Sequence, residues 1–87
     1  MTNVIDFVAL ALNGKYCLTV TAECFVDGAT EKRELAKEQK YRIDQAINLC
    51  QVYLANTPES YKIYVYIVAD GSQRLIVMVD REAVYFD

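Results

Sequence analysis

The chain has 87 residues, 54% of them hydrophobic, with 12 acidic and 9 basic side chains and a formal charge of −3. That length predicts one compact domain, residues 1–87, with a modest core. The mild negative charge excludes both a nucleic-acid mimic and a generic nucleic-acid binder. There is no His, so the commonest general acid-base group and metal ligand is missing and nucleophilic triads of the usual form are excluded.

The hydrophobic fraction exceeds the ordinary ~45–50% of soluble domains, which predicts a partner or a second copy, with a homodimer favoured. Cys17, Cys24 and Cys50 are odd in number, and no two form a CxxC pair. Neither a disulfide framework nor a zinc site is indicated, and a reducing, cytoplasmic compartment fits. The opening MTNVIDFVALAL lacks a basic region before its apolar run and holds Asp6 within it, so a soluble protein without a targeting segment is expected.

In chain order, the first signal is Asn13-Gly14 between VIDFVALAL and KYCLTVTAECFV. A two-residue Asn-Gly loop predicts a hairpin. It would pair Ala9 with Leu18, Phe7 with Val20 and Ile5 with Ala22 on one apolar face. Val8 and Leu10 would lie on the other face with Cys17, Thr19 and Glu23. A helix over residues 4–12 satisfies the same short apolar run.

Next, Thr30 is a plausible N-cap for a helix over residues 31–56. Its core stripe is Ile43, Ala46, Ile47, Cys50 and Leu54, and it ends at Asn56-Thr57-Pro58. The first half, EKRELAKEQKYR, carries five basic and three acidic residues and would project beyond the sheet. Pairs such as Glu34–Lys37 and Glu38–Arg42 would support it by a few tenths of a kcal/mol each.

The last signal is a hairpin around Asp70-Gly71. A two-residue loop would pair Tyr66 with Leu75 and mix polar with apolar positions. A three-residue loop, Ala69-Asp70-Gly71, instead pairs Val65 with Leu75 and Ile63 with Val77. The closing AVYFD supplies either a short fifth strand or a docked tail. The whole reads as an α+β fold of ββαββ order, a mainly antiparallel four-stranded sheet with one long helix on one face.

No Gly-rich phosphate loop is present, and no cofactor or metal is expected. Asp6 and Glu23, diagonal on one face, read more simply as solubilising charges than as an acid-base pair. The sheet face away from the helix carries the main candidate surface: Val8, Leu10, Tyr64, Tyr66, Arg74, Ile76 and Met78. Tyr, Met and Arg are the types enriched in contact surfaces. A second candidate is the basic stretch Lys32, Arg33, Lys37, Lys40 and Arg42, on the projecting helix end.

These features favour a non-enzymatic protein that binds another protein. An inhibitor or adaptor of the kind carried by phages and mobile elements fits, acting in the host cytoplasm on a defence or nucleic-acid-handling complex. Two alternatives remain. In one, Tyr64, Tyr66 and Arg74 stack a planar ligand such as a nucleotide. In the other, residues 32–42 bind nucleic acid weakly.

Overall fold

The computed structural model describes residues 14–87 of the chain. It is an α+β fold with five antiparallel strands and one helix: β1 (Tyr16–Val26), β2 (Ala29–Tyr41), α1 (Ile43–Asn56), β3 (Ser60–Ala69), β4 (Ser72–Val79) and β5 (Val84–Phe86). The strands form one sheet in the order β2-β1-β3-β4-β5. The two hairpins are therefore joined through β1 and β3, the innermost strand of each.

The helix expected from residue 31 begins at Ile43, and residues 29–41 are strand. Asp27 and Gly28 both have positive φ, 52° and 80°, the backbone of the tight turn that matches the twist of a two-residue hairpin. That turn returns the chain along β1, pairing Phe25 with Thr30, Glu23 with Lys32 and Val20 with Ala36. The helical propensity of EKRELAKEQK amounts to weak local terms, and the ladder of hydrogen bonds to β1 overrides it. Arg42, not Thr30, is the N-cap. Its backbone N–H donates to the Gln45 side chain at 3.0 Å, while its guanidinium clasps Asp44 at 2.6 and 3.0 Å. Asp44 also puts a negative charge at the positive end of the helix dipole.

β1 is hydrogen-bonded on one side to β2 and on the other to β3. From Leu18 to Cys24 both edges of β1 are thus taken, and the first strand of the hairpin expected across Asn13-Gly14, residues 4–12, lies outside the described residues.

The β3–β4 turn also corrects the expectation. It is the two-residue loop Asp70-Gly71, with φ of 52° and 76°, closed by Ala69 opposite Ser72. The register runs Ile67 to Arg74 and Tyr66 to Leu75, then slips so that Val65 meets Val77. Ile76 is the extra residue of a β-bulge, and it restores the in-out alternation that the short loop had inverted. Val77 and Val79 thereby reach the core, as expected, while Leu75 does not. Residues 84–86 add the fifth strand, with Val84 opposite Val79 and Tyr85 opposite Met78.

The core lies between one sheet face and α1. Leu18, Val20, Ala22 and Cys24 of β1, Ile63 and Val65 of β3 and Val77 and Val79 of β4 are fully buried with Ile43, Ala46 and Cys50 of the helix. The helix stripe is the one its periodicity predicts, and Leu54 completes it. Burial of this kind contributes roughly 1.5–3 kcal/mol for each large aliphatic side chain. Ser60 is buried among them, with its hydroxyl donating to the Glu23 carbonyl at 3.1 Å.

Arg81 ties the layers together at the helix C-terminus, where the last carbonyls lack intrahelical partners. Its guanidinium donates to the carbonyls of Leu54 at 2.7 Å, Thr57 at 3.0 Å and Ser60. One planar fork thus serves the end of α1, the connecting loop and the start of β3. On the other flank, Arg33 of β2 reaches Tyr53 of the helix at 3.2 Å and Glu59 at 3.4 Å, and pairs with Glu31 at 2.6 Å.

Two substitutions test this account in urea titrations. Arg81→Ala should lower stability by about 2 kcal/mol, since charge-assisted hydrogen bonds to three carbonyls are lost, and Arg81→Lys should recover only part of it. Gly28→Ala should cost about 1 kcal/mol through its positive φ alone, because nothing lies within 4 Å of the added Cβ. An unchanged midpoint for Arg81→Ala would remove the guanidinium from the stabilising set.

Candidate functional site: the tyrosine face of the sheet

The sheet face away from α1 is ordered by register. One row crosses all five strands: Glu34, Thr21, Tyr64, Met78 and Tyr85. Beside it run Thr19, Tyr66 and Leu75, and at the far end Lys32, Glu23 and Lys62. Tyr64 and Tyr66 are two residues apart on β3, with ring centroids 6.4 Å apart and planes tilted by 30°. Tyr64, Tyr66, Val68, Leu75 and Met78 are all half-buried.

Of the residues expected on this face, Tyr64, Tyr66 and Met78 are there, and Val8 and Leu10 lie outside the described residues. Arg74 and Ile76 are not there. Arg74 pairs with Ile67, on the helix side, and Ile76 is buried in the core at 8% exposure. The cause is the two-residue loop, which sets Arg74 opposite Ile67 and Leu75 opposite Tyr66 and leaves Ile76 as the bulge residue. Tyr64, Tyr66 and Arg74 consequently do not converge on one ligand.

The second candidate surface is also relocated. With residues 29–41 extended, Lys32 and Lys40 stand opposite Glu23 and Cys17, on the tyrosine face. Lys37 lines a cleft on the same face with Thr19, Thr21, Ser72 and Gln73, about 440 Å³ in volume. Arg33 points to the helix flank and Arg42 caps the helix. Three of the five basic residues therefore border the tyrosines that the sequence had separated from them.

Two features of the cleft were not readable from residue types. Glu38 has a φ of 48°, a conformation uncommon for a residue with a side chain. Its backbone N–H donates to the hydroxyl of Thr19 at 3.2 Å, and Thr19 is buried to 6% exposure. Around this point the β1–β2 register slips, with Leu18 opposite Gln39 but Val20 opposite Ala36. The irregularity, together with alternating charges, makes the outer edge of β2 a poor template for a further strand.

The Tyr64 hydroxyl is tied down. Tyr64 donates to a Glu23 carboxylate oxygen at 2.9 Å. Its pKa is pushed up to about 12, first by burial, then by that hydrogen bond and the Glu23 charge. At the β5 end, the Asp80 carboxylate accepts from the backbone N–H of Glu82 at 2.8 Å and of Ala83 at 2.9 Å, and these bonds hold it below the usual carboxylate range. Tyr85 is raised by the charge of Asp80.

Cys24 and Cys50 are buried and Cys17 is half-buried. Burial pushes the Cys50 thiol up to about 12, away from the reactive thiolate. Among the described residues, no group of three or more His, Cys, Asp or Glu is placed to hold a metal ion. None of their helices is long and apolar enough to cross a membrane.

Comparison with known proteins finds no matching family model, no similar curated protein and no similar solved structure.

The raised Tyr64 pKa gives a pH test. A group whose pKa is higher folded than unfolded stabilises the fold below its unfolded value, near 10 for tyrosine, and loses that contribution as pH rises through its folded value. Tyr64 should therefore remain protonated at pH 11 and titrate near 12 when its ring carbon resonance is followed by NMR. Glu23→Gln should shift that titration downward. Ordinary titration of Tyr64 near pH 10 would mean that neither the burial nor the hydrogen bond holds in solution.

Proposed function

We propose that this protein performs no chemistry of its own and works by binding another protein through the tyrosine face. One observation carries the reading. The register gathers Tyr64, Tyr66, Leu75, Met78 and Tyr85 on the side of the sheet opposite the helix, and Lys32, Lys37, Lys40 and Lys62 border them. An apolar and aromatic centre within a charged rim has the anatomy of a recognition surface. Stiff tyrosines supply contact area at small entropic cost. The small size and acidity fit an inhibitor or adaptor that occupies a site on a larger complex. Self-association through the same face is the competing use.

The lysine rim supports a second reading, in which single-stranded nucleic acid lies over the tyrosines with its phosphates toward Lys32, Lys37, Lys40 and Lys62. Glu23, Glu34 and Glu38 share the face and oppose it.

A photo-crosslinking amino acid placed at Tyr66 should capture one defined protein from the source cell. The same probe at Val52, 51% exposed on the outer side of the helix, should not. The purified partner should lose at least tenfold in affinity for Tyr66→Ser, about 1.4 kcal/mol, as expected of a contact near the centre of an interface. Equal capture at both positions would sink the reading. Capture of nucleic acid, released steeply as salt rises, would replace it with the second. A product of exactly twice the chain mass would assign the face to self-association.

A further inference from the structure

Two irregularities in β2 gather charges that a regular strand would separate. Alternation puts residues 34 and 37 of one strand on opposite faces. Here the β1–β2 register slips twice, with Gln39 opposite Leu18, Ala36 opposite Val20 and Glu34 opposite Thr21. Ala36 is buried in the core, while Glu34, Lys37 and Glu38 all line the cleft beside Thr19. At the first slip Lys37 and Glu38 together oppose Thr19, two residues against one, as in a β-bulge. The positive φ of Glu38, 48°, is the strained point of the arrangement. Bulges and backbone strain of this kind collect where side chains are re-aimed at a ligand.

The cleft measures about 440 Å³, within the range of small-molecule sites. Its polar groups are not spent on one another. Among the described residues, none of Glu34, Lys37 and Glu38 is in an ion pair. The buried Thr19 hydroxyl accepts from the Glu38 N–H, and among the described residues its own proton has no acceptor. Gln73 and Ser72 close the side formed by the β3–β4 turn. The remaining charges of this face lie outside the cleft. Glu23 is bonded to Tyr64 and stands between Lys32 and Lys62, and Lys40 is opposite Cys17.

We propose that this cleft binds a free basic amino acid, such as arginine or lysine. The charge count matches: one cation and two anions line the cleft, and the ligand brings one anion and two cations. Its carboxylate meets the Lys37 ammonium and accepts from the Thr19 hydroxyl. Its α-ammonium and side-chain cation meet Glu34 and Glu38. Charge-assisted contacts of both signs discriminate against a molecule that lacks either.

The proposal does not rest on the protein-binding reading, and its test needs no partner. Arginine and lysine are titrated into the isotope-labelled full chain while its amide resonances are followed by NMR. At least one should produce saturable shifts at Thr19, Glu38 and Gln73. Agmatine, which lacks only the carboxylate of arginine, should bind about tenfold more weakly, as should norleucine, which lacks only the side-chain cation of lysine. Lys37→Gln, an exposed change, should leave the rest of the spectrum in place and erase the preference for arginine over agmatine. The absence of saturable shifts with both amino acids would overturn the proposal. So would equal binding of arginine and agmatine to the unaltered chain, or a preference that survives Lys37→Gln. Shifts confined to Tyr64 and Tyr66 would assign the binding to ring stacking on the open face and overturn it too.

Discussion

Everything in this molecule depends on β1 being held on both edges. Its hydrogen bonds to β2 and β3 convert two hairpins into one sheet. Its alternate residues, Leu18, Val20, Ala22 and Cys24, are fully buried beneath α1. Because side chains alternate across a strand, fixing those four residues also fixes Cys17, Thr19, Thr21 and Glu23 on the other face. The register on either side then determines what stands beside them. The tyrosine face is thus a geometric consequence of how the core is filled.

Two local irregularities refine that face. The short Asp70-Gly71 loop turns Arg74 to the helix side and sets Leu75 opposite Tyr66, and the bulge at Ile76 then sets Met78 opposite Tyr64. The slip around Glu38 opens a cleft beside Thr19 and turns Lys37 toward it. The face therefore grades from an aromatic and aliphatic centre on β3 and β4 to a mixed, lysine-bearing margin on β2. A surface of this kind asks of whatever it meets both an apolar anchor and charges of both signs in register, and that combination is more selective than either alone.

The helix stripe was legible because Ile43, Ala46, Cys50 and Leu54 recur at helical spacing and Pro58 enforces the stop. The buried set on β1 was legible from strict alternation. β2 was hidden because EKRELAKEQK has the composition of a good solvent-exposed helix, and its strand state is imposed by β1. The one local clue was Asp27-Gly28, a hairpin signal overshadowed by Asn13-Gly14. At the β3–β4 turn, the rule for two-residue Asp-Gly loops was right and the alternation argument against it was not. A bulge lets both hold, and no single residue type announces a bulge. Tyr64 and Tyr66 were visible from alternation alone, whereas their lysine neighbours depended on the hidden strand.

The central pairing of β1 with β3 has a consequence for how the chain reaches this structure. The β1–β2 and β3–β4 hairpins close through two-residue turns and are local events. Leu18 must find Ile67, and Cys24 must find Ser60, across the whole of β2 and α1. Joining the hairpins requires closure of a long loop before the core rewards it, so the rate of folding is set by that encounter rather than by either turn. The helix, placed in sequence between the two hairpins and buried against both, shortens that search by collapsing the intervening chain.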